Sequence, residues 1–238
     1  MRPAARLLLI GAVAGPPPAP AAGPSTQPTG AAGRRAAMSG HFLRAKQIQA
    51  ALIRGDLSAA RTAAGKLVEP DQLAGLPPDA QPHLDRLTAA AERVARAADL
   101  AAAAAAAGAV AQACGGCHSA SAAELSFASG SFVPSGAQTA PHMLRHRLAA
   151  DRMWEGLIGP SDAAWQAGAE LLDEDPIPIA TGGLDPARAA QLEALARQVH
   201  RLGARARAAG DHAARAELYA QFLAACSGCH SLTGVQVP

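Results

Sequence analysis

The chain repeats itself, and the repeat limits what it can fold into. A stretch beginning at Met38, MSGHFLRAKQIQAALIRGD, aligns without gaps with one beginning at Met143, MLRHRLAADRMWEGLIGPS, at an offset of 105. Met38 falls on Met143, His41 on His146, and Leu52-Ile53 on Leu157-Ile158. Further on, ARAADLAAAAAAAGAVAQACGGCH aligns with ARAAGDHAARAELYAQFLAACSGCH at an offset of 112, so the second copy has the longer middle loop. A chain built this way is one supersecondary unit used twice.

Each copy reads as four helices with no strand alternation. In the first copy they are expected at 38–54, 57–68, 82–97 and 99–116, with Pro70, Pro77, Pro78 and Pro82 marking the central loop. In the second they are expected at 142–157, 161–173, 186–208 and 211–228, with DEDPIPIATGGLDP as the matching loop. Asp99 and Asp211 stand at equivalent places and suit the N-cap of each last helix. Short connections between helices one and two, and three and four, suit antiparallel neighbours. The expected fold is therefore all-α: two tandem four-helix bundles at 38–128 and 142–238, joined by a linker at 129–141. Half of the residues are hydrophobic but only 3% are aromatic. The apolar content is largely alanine, which favours helix but adds little core volume.

All four cysteines lie in two copies of one pattern, CGGCH at Cys114–His118 and CSGCH at Cys226–His230. Cys-x-x-Cys-His is the attachment signature of c-type haem. Two thiols add across the porphyrin vinyl groups, and the adjacent imidazole binds the iron. The spacing places both sulfurs on one side of a single turn. Cys114, Cys117, Cys226 and Cys229 are then the covalent attachment points of two haem c groups, and His118 and His230 the proximal iron ligands. A bound macrocycle in each half would add apolar burial to a core thin in large side chains. Zinc or disulfide chemistry is the rival reading of the four cysteines.

A bundle of about a hundred residues with Cys-x-x-Cys-His closing its fourth helix resembles the class II c-type cytochromes, the cytochrome c′ and c556 type. The resemblance covers most of both halves. The residues that follow the motifs, SASAAE and SLTGVQ, depart from the charged and aromatic residues associated with that stretch in cytochrome c′. Family members with six-coordinate iron draw a ligand from near the start of helix one, which lines the distal haem face.

In this chain Met38, His41, Ala45, Ile48 and Leu52 follow 3,4,3,4 spacing, and Met143, His146, Ala150, Met153 and Leu157 repeat it. That spacing defines one buried stripe. His41 and His146 are candidate distal iron ligands, and Met38 and Met143 the alternatives. The plain reading makes all four core residues. His83, His142, His200 and His212 have no histidine at the equivalent place, and an incidental or surface role is expected for them. Trp154 and Trp165 are expected in the core.

The start of the chain reads as a secretory leader over 1–22. Arg2 and Arg6 precede the short apolar run LLLIGAVAG, and Ala19–Ala21 supply small residues for cleavage. The run is too short to span a bilayer. A Pro/Ala/Gly-rich linker is expected over 23–37. Periplasmic export in a bacterium suits covalent haem attachment, which is done outside the cytoplasm; an uncleaved Pro/Ala tail is the other reading.

Without Arg2 and Arg6 the chain carries 19 positive and 19 negative residues. No basic stripe points to nucleic acid. No Gly-x-Ser-x-Gly elbow, phosphate loop or paired-carboxylate motif points to an enzyme. The expected function is an exported dihaem electron carrier cycling between Fe(III) and Fe(II), working with redox partner proteins and holding no stable membrane span. The alternative is a c′-like protein that binds or senses NO, CO or O2.

Overall fold

A computed structural model describes residues 30–69, 76, 78–123, 125, 127, 132–178 and 183–234. The expected leader, most of the first linker and part of the second lie outside them. Among the described residues there are eight α-helices, one 3-10 turn at Pro78–Ala80, and no strand. The helices are α1 (Gly30–Ile53), α2 (Leu57–Leu67), α3 (Gln81–Ala95), α4 (Leu100–Ala120), α5 (Thr139–Ile158), α6 (Asp162–Glu170), α7 (Pro186–Ala208) and α8 (His212–Thr233). The chain is all-α.

Capping chemistry sets several of the boundaries. Asp99 Oδ1 accepts from Ala102 N and Asp211 Oδ1 from Ala214 N, each at 2.8 Å. Asp56, Ser161 and Asp185 cap α2, α6 and α7 in the same way. Two boundaries differ from the sequence expectation. Helix α1 begins at Gly30 rather than Met38, because the alanines of GAAGRRAAM favour helix and no proline interrupts them. Helices α4 and α8 run past the Cys-x-x-Cys-His motifs to Ala120 and Thr233, so the motifs lie within the last turns rather than closing them.

Helix α1 packs on α2, α2 on α3, α3 on α4, and α4 returns to α1 and α2. Helices α5 to α8 pack in the same cyclic order. The stripe read from the sequence faces inward: Ala45, Ile48, Leu52, Ala150, Met153 and Leu157 are all buried. Trp154 and Trp165 are fully buried, and Trp165 Nε1 donates to Ala206 O at 2.8 Å. One continuous apolar core runs through both halves. Helix α4 is long and apolar enough to cross a membrane by length and composition, but half of that stretch is buried inside the protein.

The halves meet about a pseudo-two-fold axis. Helix α4 lies against α8, α4 against α5, and α1 against α8. A Cβ on Gly108 would stand 2.7 Å from Ala216 O and 2.9 Å from the Ala220 Cβ, and one on Gly115 would stand 2.5 Å from His212 Nε2. Rising numbers on α4 thus meet falling numbers on α8, and the two helices are antiparallel. Gly108 and Ala220 are equivalent positions of the repeat, so the helices cross where the repeat faces itself. Helices α1 and α5 also meet at equivalent positions: Lys46 pairs with Asp151. A symmetric dimer would oppose like residues at that point; this chain carries opposite charges. Beside the pair, Gln49 Nε2 donates to Ala150 O at 3.0 Å and to Tyr219 Oη at 2.6 Å, and Tyr219 Oη donates to Ala150 O at 3.0 Å. These buried hydrogen bonds fix the register of the two halves, although Gln49 Oε1 is left without a partner.

Filling the crossing tests it. Gly108→Leu is expected to destabilise the fold by about 3 kcal/mol, as overpacking against backbone does. Gly65→Ala on α2, where a Cβ meets nothing within 4 Å, is expected to be neutral or slightly stabilising. Urea midpoints of the two variants check this. Equal effects would mean that α4 and α8 do not approach so closely.

Candidate functional site

The two Cys-x-x-Cys-His motifs sit in the last turns of α4 and α8. On a helix, residues three and four apart share a face. Cys114, Cys117 and His118 therefore group on one side of α4, and Cys226, Cys229 and His230 on one side of α8. All four cysteines are free thiols. Residue 115 of α4 stands beside residue 212 of α8. Cys114 is therefore displaced from Cys226 by about 20 Å along the antiparallel pair, at about 1.5 Å per residue. The four thiols cannot converge on one zinc ion.

Burial pushes the Cys114 and Cys226 thiols up to about 12, with the neighbouring Cys117 and Cys229 adding to the effect. Burial also raises Cys229. It raises Cys117 too, where Asp79 adds and Arg86 opposes. These sulfurs sit in surroundings that favour neutral forms, unlike the electropositive settings of reactive redox cysteines.

Each motif is covered by the other half. His118 Nδ1 lies 2.5 Å from Ile158 O, the last residue of α5. Burial lowers the pKa of His230, and the Ile53 carbonyl at the end of α1 opposes that shift. Ile53 and Ile158 are equivalent positions, so the equivalent carbonyl lies near each imidazole, but only His118 Nδ1 makes the hydrogen bond, and His230 Nδ1 is buried without one. A carbonyl at Nδ1 holds the proton there and leaves Nε2 as the lone-pair nitrogen. The second residue of each motif continues the pattern. Gly115 is pressed against Leu157 O, which His212 Nε2 engages at 2.9 Å, while its counterpart Ser227 donates to Leu52 O at 2.6 Å.

The other candidate ligands lie near the start of each first helix. His41 is buried, and Met38 and Met143 are half-buried. His146 is near enough to His230 to feel its charge. Here the structure corrects the sequence reading. His142 and His200, expected to be incidental, are buried and gather around His146. The ring centroids are 4.3 Å apart for His142–His146, 5.3 Å for His142–His200 and 5.1 Å for His146–His200. Among the described residues this is the one group of three or more His, Cys, Asp or Glu side chains whose ligand atoms converge, all within 4.8 Å of one another. The i,i+4 spacing of His142 and His146 was visible in the sequence, but His200 arrives from α7 and nothing local announces it. Of the other two, His212 bonds Leu157 O, and His83 contacts Arg86.

The donor set at each motif fits haem c. Two free thiols and one imidazole share a helical face, and the contact of His118 Nδ1 with Ile158 O leaves Nε2 for a metal. The clefts of the described structure lie elsewhere, between α6 and α7 and along α1 and α2.

The buried histidines make stability depend on pH. Burial first, then His142, His200, Arg145 and His230, lower His146 from 6.5 to about 3. Burial also lowers His142 against the opposing charge of Glu174. A group whose folded pKa is depressed binds fewer protons folded than unfolded. Its stabilisation is present above pH 6.5 and is lost as pH falls toward the folded value. Between pH 7 and pH 5 the His146 contribution falls by up to about 2 kcal/mol. His146→Gln is expected to flatten the dependence of Tm on pH over that range; an unchanged slope would assign the acid sensitivity to other groups.

No family model, curated protein or solved structure matches this chain, and its function is to be read from the two motifs and their surroundings.

Proposed function

We propose that this protein is an exported dihaem c-type cytochrome of class II type, made of two four-helix bundles, that transfers electrons. The reading is carried by one observation. Two equivalent helices each bring two free, half-buried thiols and an adjacent imidazole to one face, and all the cysteines of the chain are used in this way. Haem c would supply reversible one-electron chemistry at iron.

The residues have distinct parts. Cys114 and Cys117 hold one group as thioethers, and Cys226 and Cys229 the other. Neutral thioethers suit the dry surroundings that keep these sulfurs uncharged. His118 and His230 would bind the iron, and His118 is oriented by a carbonyl from the other half, the kind of outer contact that raises ligand basicity. His41 is the candidate on the opposite side in the first half, with Met38 as the alternative. In the second half Met143 and His146 hold the equivalent places. Attachment points some 20 Å apart along α4 and α8 suit two carriers in series more than one merged centre.

Expression in a host competent for haem attachment tests the reading. Two haems per chain are expected, with Cys114→Ser/Cys117→Ser and Cys226→Ser/Cys229→Ser each retaining one. Sharp reduced bands that ignore carbon monoxide are expected, because both axial positions are filled. A broad high-spin spectrum that shifts with carbon monoxide would favour gas binding instead. A chain that takes up no haem would end both readings.

A further inference from the structure

The cluster around His146 breaks the symmetry of the repeat. Its counterparts in the first half are Ala37 for His142, His41 for His146 and Thr88 for His200. Three histidines stand in the second half where the first has one. Burying three imidazoles together is costly unless their nitrogens find partners.

One outer nitrogen has a hydrogen-bond partner, and a second stands beside a carboxylate. His200 Nδ1 lies 3.0 Å from Leu172 O. His142 Nδ1 lies 2.9 Å from Glu174 Oε1. Glu174 is itself held by Arg145, whose Nε donates at 2.9 Å and whose Nη2 lies 2.7 Å away, both to Oε2. The Leu172 carbonyl at His200 Nδ1 holds the proton there and leaves Nε2 with the lone pair, whereas Glu174 stands beside His142 as a charge partner without a hydrogen bond to its Nδ1. Nε2 of His146 and Nε2 of His200 are buried without a hydrogen-bond partner. Backbone carbonyl to histidine, with the far nitrogen left bare as at His200, is an arrangement that orients metal-binding imidazoles.

We propose that His142, His146 and His200 form a site for a borderline divalent cation of the zinc class, separate from both haem motifs, with Glu174 and Leu172 O as its outer shell. The size is right. An ion equidistant from three atoms at most 4.8 Å apart stands at most about 2.8 Å from each. Side-chain rotation of about 0.7 Å per nitrogen reaches the zinc–nitrogen distance of ~2.1 Å. The surface reaches one side of the cluster. A cleft of about 570 Å³ is lined by His200 and Glu174, with Asp173 and Asp175 at its edge. Three protein ligands leave a fourth position for water, as in open zinc sites. His146 then binds this ion and not haem iron, and Met143 is left to the distal side of the second haem.

The test uses the full chain, purified from the haem-competent host, dialysed against chelator and titrated with Zn2+ by calorimetry. Haem content and visible spectra are recorded on the same samples. One zinc per chain is expected, with three nitrogen neighbours near 2.0–2.1 Å in X-ray absorption. His142→Ala and His200→Ala should each weaken binding at least a hundredfold, and Glu174→Gln ten- to hundredfold. None of these should change the haem content. Unfolding curves establish that the variants are folded; His200→Gln serves if His200→Ala is not. Absence of zinc binding, binding that survives the histidine variants, or sulfur neighbours at the metal would each overturn the proposal. So would loss of the low-spin spectrum in His146→Ala, which would make that residue an iron ligand. Haem counts that stay at two through any of these outcomes leave the cytochrome reading standing.

Discussion

The structure depends on the close antiparallel crossing of α4 and α8. Gly108 lets the two backbones approach where the repeat meets itself, and Ala216 and Ala220 fill the other side. Alanine-rich helices can pack this tightly because they carry little side chain to hold them apart. A chain with 3% aromatic residues compensates for thin side chains by bringing backbones together. The crossing also sends the two motifs in opposite directions, which decides that they are two sites rather than one.

The duplicated halves keep their backbone contacts and diverge in side chains wherever a symmetric pairing would fail. Lys46 faces Asp151 at one position of the repeat. Leu52 O takes its hydrogen bond from Ser227, while the equivalent Leu157 O is engaged by His212, with Gly115 leaving room. Gln49 reaches Tyr219 where the second half has Trp154 packed on the same tyrosine, with ring centroids 5.6 Å apart. Each substitution suits a heterologous pairing inside one chain better than a pairing of identical copies. Two aspartates at the Lys46–Asp151 position would repel, and glycine at both 115 and 227 would leave Leu52 O without its donor.

Much of this was legible in the sequence. Helix content, the caps at Asp99 and Asp211, and the inward stripe from Ala45 to Leu52 follow from local rules: side-chain capping, alanine propensity and 3.6-residue periodicity. The motifs were legible because their chemistry needs a fixed local spacing. What could not be read depends on neighbours distant in the chain. The carbonyl of Ile158 beside His118 belongs to another helix forty positions away. His200 looked incidental because its meaning lies in its distance from His142 and His146, and only the packing of α7 against its neighbours sets that. Comparing the repeats misled here: a histidine with no counterpart was discounted, though lack of a counterpart is what marks a feature acquired by one half alone.

Each motif is covered by the opposite half, and this bears on how the two halves work. The imidazole of each motif is covered by the first helix of the opposite half, at the carbonyls of Ile158 and Ile53. A shift of α5 against α4 therefore changes the outer contact of His118, and a shift of α1 against α8 that of His230. Both shifts share one axis, fixed by Gly108, by Lys46 with Asp151, and by Gln49 with Tyr219. A ligand's basicity follows its outer hydrogen bond, so if the motifs hold haem as proposed, His118 would be tuned through this interface, and His230, which lacks that hydrogen bond, would not be tuned alike. The second half alone has the histidine cluster. Equivalent motifs thus sit in unequal surroundings, which would give two haems in one chain a physical basis for different potentials.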